Sequence, residues 1–167
     1  LYVNKKEGFI GYGLKKDEYI SDCSDMDDII VFRNDGKFIV TKISEKAFVG
    51  KNILHAQVWK KQDDRMVYHL GYTDTKLKKT FVKRFNVKSV TRDKEYDMCS
   101  GNTGCKVLYF SANKNSESEI IGVQLSSGAK ARIKQFEYNF GDLSIKGRGS
   151  RGNTLTKYAV KKIFKVL

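Results

Sequence analysis

Four times along this chain a short apolar run breaks at a polar turn and returns. That repeated grammar constrains the fold more than any other feature. Leu1-Tyr2-Val3 returns through Gly8-Phe9-Ile10-Gly11-Tyr12, and Ile29-Ile30-Val31-Phe32 returns through residues 38–43. Residues 66–70 turn at 72–76 and return through 80–85; residues 119–125 turn at Ser126-Ser127-Gly128 and return through 131–136. Asn34-Asp35-Gly36 is the strongest turn signal, because Asp-Gly readily supplies φ > 0. Further strands are expected at 53–59, 106–110 and 155–160. Gly50, Gly104 and Gly152 recur 54 and 48 residues apart, and Gly36 and Gly128 lie 92 apart. A period of about 50 residues, each repeat a hairpin plus an extra strand, is the mark of a propeller-like array. No stretch holds apolar residues at i, i+3, i+4 and i+7 over successive turns, so a helical fold is excluded.

The expectation is an all-β single domain over 1–167, with a partial repeat at 1–26 and repeats at 27–64, 65–117 and 118–167. A propeller needs about four blades to close, so the ring is incomplete here or continues past Leu167. The chain begins without Met, which reads as a piece of something longer.

Charge points to the partner. Lys and Arg number 32 against 19 Asp and Glu, a net +13 over 167 residues. Such an excess attracts nucleic acid or an anionic surface. No apolar run approaches the roughly 20 residues of a membrane span. With 12% aromatic residues the chain is not a disordered basic tail.

The cations concentrate after the turns. Ile145-Lys146-Gly147-Arg148-Gly149-Ser150-Arg151-Gly152-Asn153-Thr154 places three glycines among three cations. Glycine lets backbone approach a ligand closely, and the guanidinium fork matches phosphate oxygens. Lys130, Arg132 and Lys134 alternate with Ala131 and Ile133, as a strand with a basic outer face and an apolar inner one would. Lys37, Lys42, Lys51, Lys78, Lys79, Lys83, Arg84 and Lys157 complete the candidate set for phosphate contact.

Catalytic readings fail on context. Gly147-x-Gly149-x-x-Gly152 lacks the βαβ unit and the downstream acid of a dinucleotide site. His55 and His69 lie inside strands without a Ser or Cys elbow and read as structural. Asp22, Asp25, Asp27 and Asp28 lack calcium-loop spacing. Cys23, Cys99 and Cys105 are odd in number and read as reduced structural thiols of a cytoplasmic protein. Cys99 and Cys105 are too far apart for a zinc knuckle. No catalytic residue, metal or cofactor is expected.

The pattern resembles the C-terminal domain of the A subunit of bacterial type IIA topoisomerases, DNA gyrase and topoisomerase IV. The resemblance rests on Asp28-Ile29-Ile30-Val31-Phe32 with Asn34-Asp35-Gly36-Lys37, on Val49-Gly50-Lys51-Asn52-Ile53, on Glu119-Ile120-Ile121-Gly122-Val123 with Ser127-Gly128, and on residues 147–153. It implies a β-pinwheel whose blades exchange strands and whose basic rim bends double-stranded DNA. It also implies a chain with no catalysis of its own, which serves the cleavage domain of its own parent chain and the ATPase B subunit. The expected location is the cytoplasm, at the nucleoid. The gyrase signature Gln-Arg-Arg-Gly-Gly-Lys-Gly is only degenerately matched by residues 145–152, which favours the topoisomerase IV type. The competing reading is a basic β-propeller that binds RNA or acidic proteins.

Overall fold

The computed structural model describes residues 1–99 and 104–166. The stretch of polar loop at residues 100–103 lies outside the described residues. In chain order the strands are β1 (Tyr2–Asn4), β2 (Phe9–Gly11), β3 (Glu18–Tyr19), β4 (Asp28–Arg33), β5 (Lys37–Lys42), β6 (Ala47–Phe48), β7 (Ile53–Trp59) and β8 (Val67–Asp74). They continue as β9 (Lys79–Phe85), β10 (Glu95–Asp97), β11 (Cys105–Asn113), β12 (Ile120–Leu125), β13 (Gln135–Asn139), β14 (Asn153–Thr156) and β15 (Val160–Lys165). Two short 3-10 turns, Lys114–Ser116 and Phe140–Asp142, are the only helical pieces among the described residues. The fold is all-β and of the β-pinwheel type, as the sequence leads one to expect.

Four antiparallel sheets form, in the orders β3-β1-β2-β6, β10-β5-β4-β7, β11-β8-β9-β14 and β13-β12-β15. One rule generates them. A hairpin forms, and a later strand joins the outer edge of its first strand: β3 on β1, β7 on β4, β11 on β8, β15 on β12. The outer edge of the second strand is filled only after the chain has made the next hairpin. Thus β6 joins β2, β10 joins β5 and β14 joins β9. This is the strand exchange expected of a pinwheel.

The described chain divides into two compact units: residues 1–62 with 88–98, and residues 63–87 with 99–167. In the first, the apolar run at 29–32 is wholly buried, as a strand covered on both faces must be. Ile29 and Val31 pack with Val3, Ile10, Ile53 and Ala56. Each such buried Val or Ile side chain contributes roughly 1.5–3 kcal/mol. The exchanged strand crosses close to the first turn: the Val49 N–H donates to the Gly8 carbonyl at 2.8 Å. Gly8 has φ +85, and a Cβ there would stand 2.2 Å from the Gly50 carbonyl oxygen. Only glycine permits that approach.

In the second unit Val82, Ile121, Val123, Phe140, Leu143 and Ile163 form the core. A buried polar node ties two sheets together within it. Glu119, just before β12, accepts from His69 Nδ1 at 2.7 Å and from the Tyr109 hydroxyl at 2.7 Å, and also from Ser111. Because Glu119 only accepts here, His69 carries its proton on Nδ1. Phe140 stacks on the imidazole at 4.3 Å. Burial works against the Glu119 charge. The hydrogen bonds from Ser111, Tyr109 and His69 outweigh it and hold the carboxyl below the ordinary range.

Several boundaries differ from the sequence reading. β8 runs on to Asp74, so Tyr72 is a buried strand residue rather than a turn residue; its ring stacks on Phe81 at 5.4 Å. The run expected at 155–160 is two strands, β14 and β15, broken at residues 157–159. Gly50 and Gly104 stand between an exchanged strand and the next one, whereas Gly152 precedes its exchanged strand, so the three are not equivalent. Cys99 and Cys105 are joined in a disulfide across a Cα–Cα distance of 6.5 Å, contrary to the expected free thiols; Cys23 is free.

Both histidines are held neutral chiefly by burial, with their pKa values below the usual imidazole range. The unfolded chain therefore binds protons that the folded chain does not. Stability is full above about pH 6.5 and falls as the pH drops from there toward the folded-state values. Glu119 adds a second loss below about pH 4.3. Urea midpoints measured from pH 7.5 downward will show this fall, and replacing both His55 and His69 by Phe will flatten its upper part.

Candidate nucleic-acid interface

Backbone pairing decides where the cations of the second unit lie. Thr156 of β14 pairs with Thr80 of β9, and the strands are antiparallel. Lys157 therefore continues toward Lys79 and the turn at 75–78. Two residues further on, the Ala159 carbonyl accepts from the Ser126 N–H at 2.9 Å. That bond brings the loop at 126–134 to the same end of the unit. Lys78, Lys79, Lys130, Arg132, Lys134 and Lys157 are all exposed there. Three chain segments thus carry exposed cations at one end of the unit.

Two of these segments are braced at their bases. Asp74 Oδ1 accepts from the Lys76 and Leu77 N–H groups at 2.9 Å, and the Lys78 N–H donates to the Asp74 carbonyl at 2.8 Å. The loop at 126–134 is closed at its base by Leu125 N–H to the Lys134 carbonyl at 2.8 Å, and Lys134 Nζ turns inward to the Ala129 carbonyl. Lys130, Arg132 and Lys134 therefore do not share a strand face. The ladder of β12 and β13 ends at Gln124 opposite Gln135, so residues 129–134 have no partner strand. Ile133, expected to face inward, is 67% exposed.

The Arg-Gly loop lies along the edge of β9. Lys146 bridges Phe85, its N–H donates to the Arg84 carbonyl at 2.8 Å, and Lys83 Nζ donates to the Arg148 carbonyl at 2.6 Å. The Gly152 N–H donates to the Tyr72 hydroxyl at 3.2 Å. A Cβ on Gly152 would come within 2.9 Å of the Val82 carbonyl oxygen, whereas Gly147 and Gly149 face open space. Arg151 is exposed and sits over the Phe81 ring at 5.1 Å. Lys146 Nζ is spent inside the loop, on the Arg151 carbonyl at 3.0 Å and on Asn153 Oδ1. Arg148 is half-buried.

Lys83 and Arg84 depart from the expectation outright. They are 0% and 8% exposed. From Thr80 to Phe85 β9 is buried, so Lys83 and Arg84 serve as internal clamps. Lys83 holds the loop, and Arg84 Nη2 donates to the Ser116 carbonyl at 2.8 Å. A buried ammonium is tolerated only with such partners.

The first unit carries its own smaller set. Lys51 is exposed and lines a cleft with Arg33, Asn34, Asp35, Gly50 and Asn52. The Asn52 and Ile53 N–H groups donate to the Lys6 and Lys5 carbonyls, which draws the first turn alongside. Lys5 and Lys6, which the sequence reading does not single out, are carried on that turn; Lys6 is exposed, and Lys5 is ion-paired to Glu18 at 3.4 Å. Lys37 is half-buried and ion-paired to Asp97 at 3.3 Å. Lys42, exposed, lies at the opposite end of the hairpin, paired with Asp28.

Among known proteins, the profile of the family described as topoisomerase C-terminal domain, Bacteroidota, matches residues 1–167. The A subunit of DNA topoisomerase 4 from Borreliella burgdorferi is similar, at 27% identity over 164 residues, covering 98% of this chain and 24% of that protein. The chain thus spans about a quarter of that relative's length.

Lys83→Met keeps the volume but strips the clamp from the Arg148 carbonyl. It will cost about 1–3 kcal/mol, read as a lower urea midpoint, and amide exchange in residues 147–152 will speed up.

Proposed function

Since the chain belongs to the topoisomerase C-terminal domain family of Bacteroidota, we propose that it is the DNA-binding and DNA-wrapping part of a type IIA topoisomerase A subunit. The supporting observation is the turn end of the second unit, where Lys78, Lys79, Lys130, Arg132 and Lys157 stand exposed on three adjoining segments. Lysines and arginines carried on turns suit backbone phosphates rather than base edges. Such binding is tolerant of sequence and steeply dependent on salt.

Bending a short duplex costs on the order of 1–6 kcal/mol, which several phosphate contacts must offset. Five cations at one end of one unit, with Arg151 along the sheet edge, meet that demand better than the Arg-Gly loop alone. The role is to hold and deliver duplex to a cleavage domain elsewhere in the parent chain, in concert with the ATPase B subunit. In this role the chain has no catalytic step and no cofactor of its own. The degenerate gyrase signature and the similarity to a topoisomerase 4 relative favour the topoisomerase IV type. The working place is the bacterial cytoplasm, at the nucleoid.

Duplex affinity measured against salt concentration tests this. Each phosphate contact contributes roughly 0.9 to the slope of log affinity on log salt. Replacing Lys79, Lys130, Arg132 and Lys157 together by Gln will lower the slope by roughly 3–4. An unchanged slope, or displacement of duplex by single-stranded RNA, contradicts the reading.

A further inference from the structure

The two hairpin connections at the basic end of the second unit share a feature. Each exposes one aliphatic side chain among cations. Leu77, 46% exposed, stands in Lys76-Leu77-Lys78-Lys79; Ile133, 67% exposed, stands in Arg132-Ile133-Lys134. The corresponding turns of the first unit, residues 4–8 and 34–36, carry only polar residues and glycine. Neither aliphatic is needed by the core, which is filled by Val82, Ile121, Val123 and their neighbours.

Both connections are also braced by backbone hydrogen bonds. The Leu77 N–H is fixed by the Asp74 carboxylate at 2.9 Å, and Lys78 takes φ +55 to complete that turn. The loop under Ile133 is closed by the Leu125–Lys134 bond and by Ala129 N–H to the Ser126 carbonyl at 3.0 Å. Exposed aliphatics in water bring no stability, yet here two are presented on braced turns amid positive charge.

Positive charge draws in a polyanion, and an aliphatic among those charges needs an apolar place on the same ligand. Duplex DNA offers one between its stacked bases. Side chains such as Leu and Ile, entering the minor groove, part a base step and kink the helix. We propose that Leu77 and Ile133 are wedges of this kind: the flanking cations hold phosphates while the aliphatic tips unstack a step and bend the duplex. The proposal rests on the duplex-binding reading and adds the means of bending. Flexible pyrimidine–purine steps are the favoured entry points, because they unstack most readily.

The test uses the 167-residue chain and a duplex of about 30 bp with end-to-end fluorescence transfer and aminopurine at a central flexible step. Wild type will shorten the end-to-end distance and raise aminopurine emission. Leu77→Ser with Ile133→Ser, both at exposed sites and checked for an unchanged melting temperature, will lose both signals. Its affinity will stay within about threefold and its salt slope will be unchanged, because the phosphate contacts remain. Arg132→Gln with Lys78→Gln will do the reverse, losing affinity and slope first. If wild type binds duplex without unstacking it, or the serine variant bends it equally well, the wedges are wrong while DNA binding stands. If wild type binds no duplex but binds phosphatidylglycerol vesicles through Leu77 and Ile133, both the wedge and the DNA reading fail.

Discussion

Everything in this fold depends on an edge left open and filled later. The second strand of a hairpin exposes a row of backbone donors and acceptors, and an unpaired row is costly when buried. β2, β5 and β9 each wait until the chain has built another hairpin before β6, β10 or β14 arrives. Three of the four sheets are therefore not finished by their own local sequence. The arrangement also decides where connections run. The segment leading into β14 must follow the edge of β9, and that is why the Arg-Gly loop lies against Phe81, Val82 and Phe85.

The hairpins were legible in the sequence because each uses several residues of strong apolar pattern and a turn of distinctive chemistry. The run at 29–32 and the turn at 34–36 could be placed almost to the residue. The shortest of the added strands could not. β3, β6 and β10 are two or three residues long, too short for any period to register. They exist because a partner edge is waiting, which is a tertiary fact. The return of the last hairpin was misplaced for the complementary reason. Residues 131–134 alternate as a strand should, but the ladder on β12 ends before them.

The candidate interface was legible as a composition and not as a geometry. Lys78-Lys79 and Lys83-Arg84 look alike in the sequence, close together on one return strand. The first pair lies at the turn and faces solvent. The second lies where the Arg-Gly loop and the residues near Ser116 cover the strand, and there it clamps carbonyls. Likewise Lys146 is spent within its own loop, while Arg151, five residues on, is exposed. Charge counts point toward a polyanion as partner; burial decides which charges could reach one. The glycine-rich loop that dominates the sequence is one edge of the surface, and the hairpin tips are its larger part.

The account turns on whether duplex DNA meets those tips. Lysine reactivity toward an acylating reagent, read residue by residue by mass spectrometry with and without duplex, tests it most directly. The expected result is strong protection by duplex at Lys78, Lys79, Lys130 and Lys157, with Lys83 unreactive in both states because it is already buried. Protection confined to other lysines, or none at DNA concentrations that saturate binding, would contradict the placement of the interface at the turn end of the second unit.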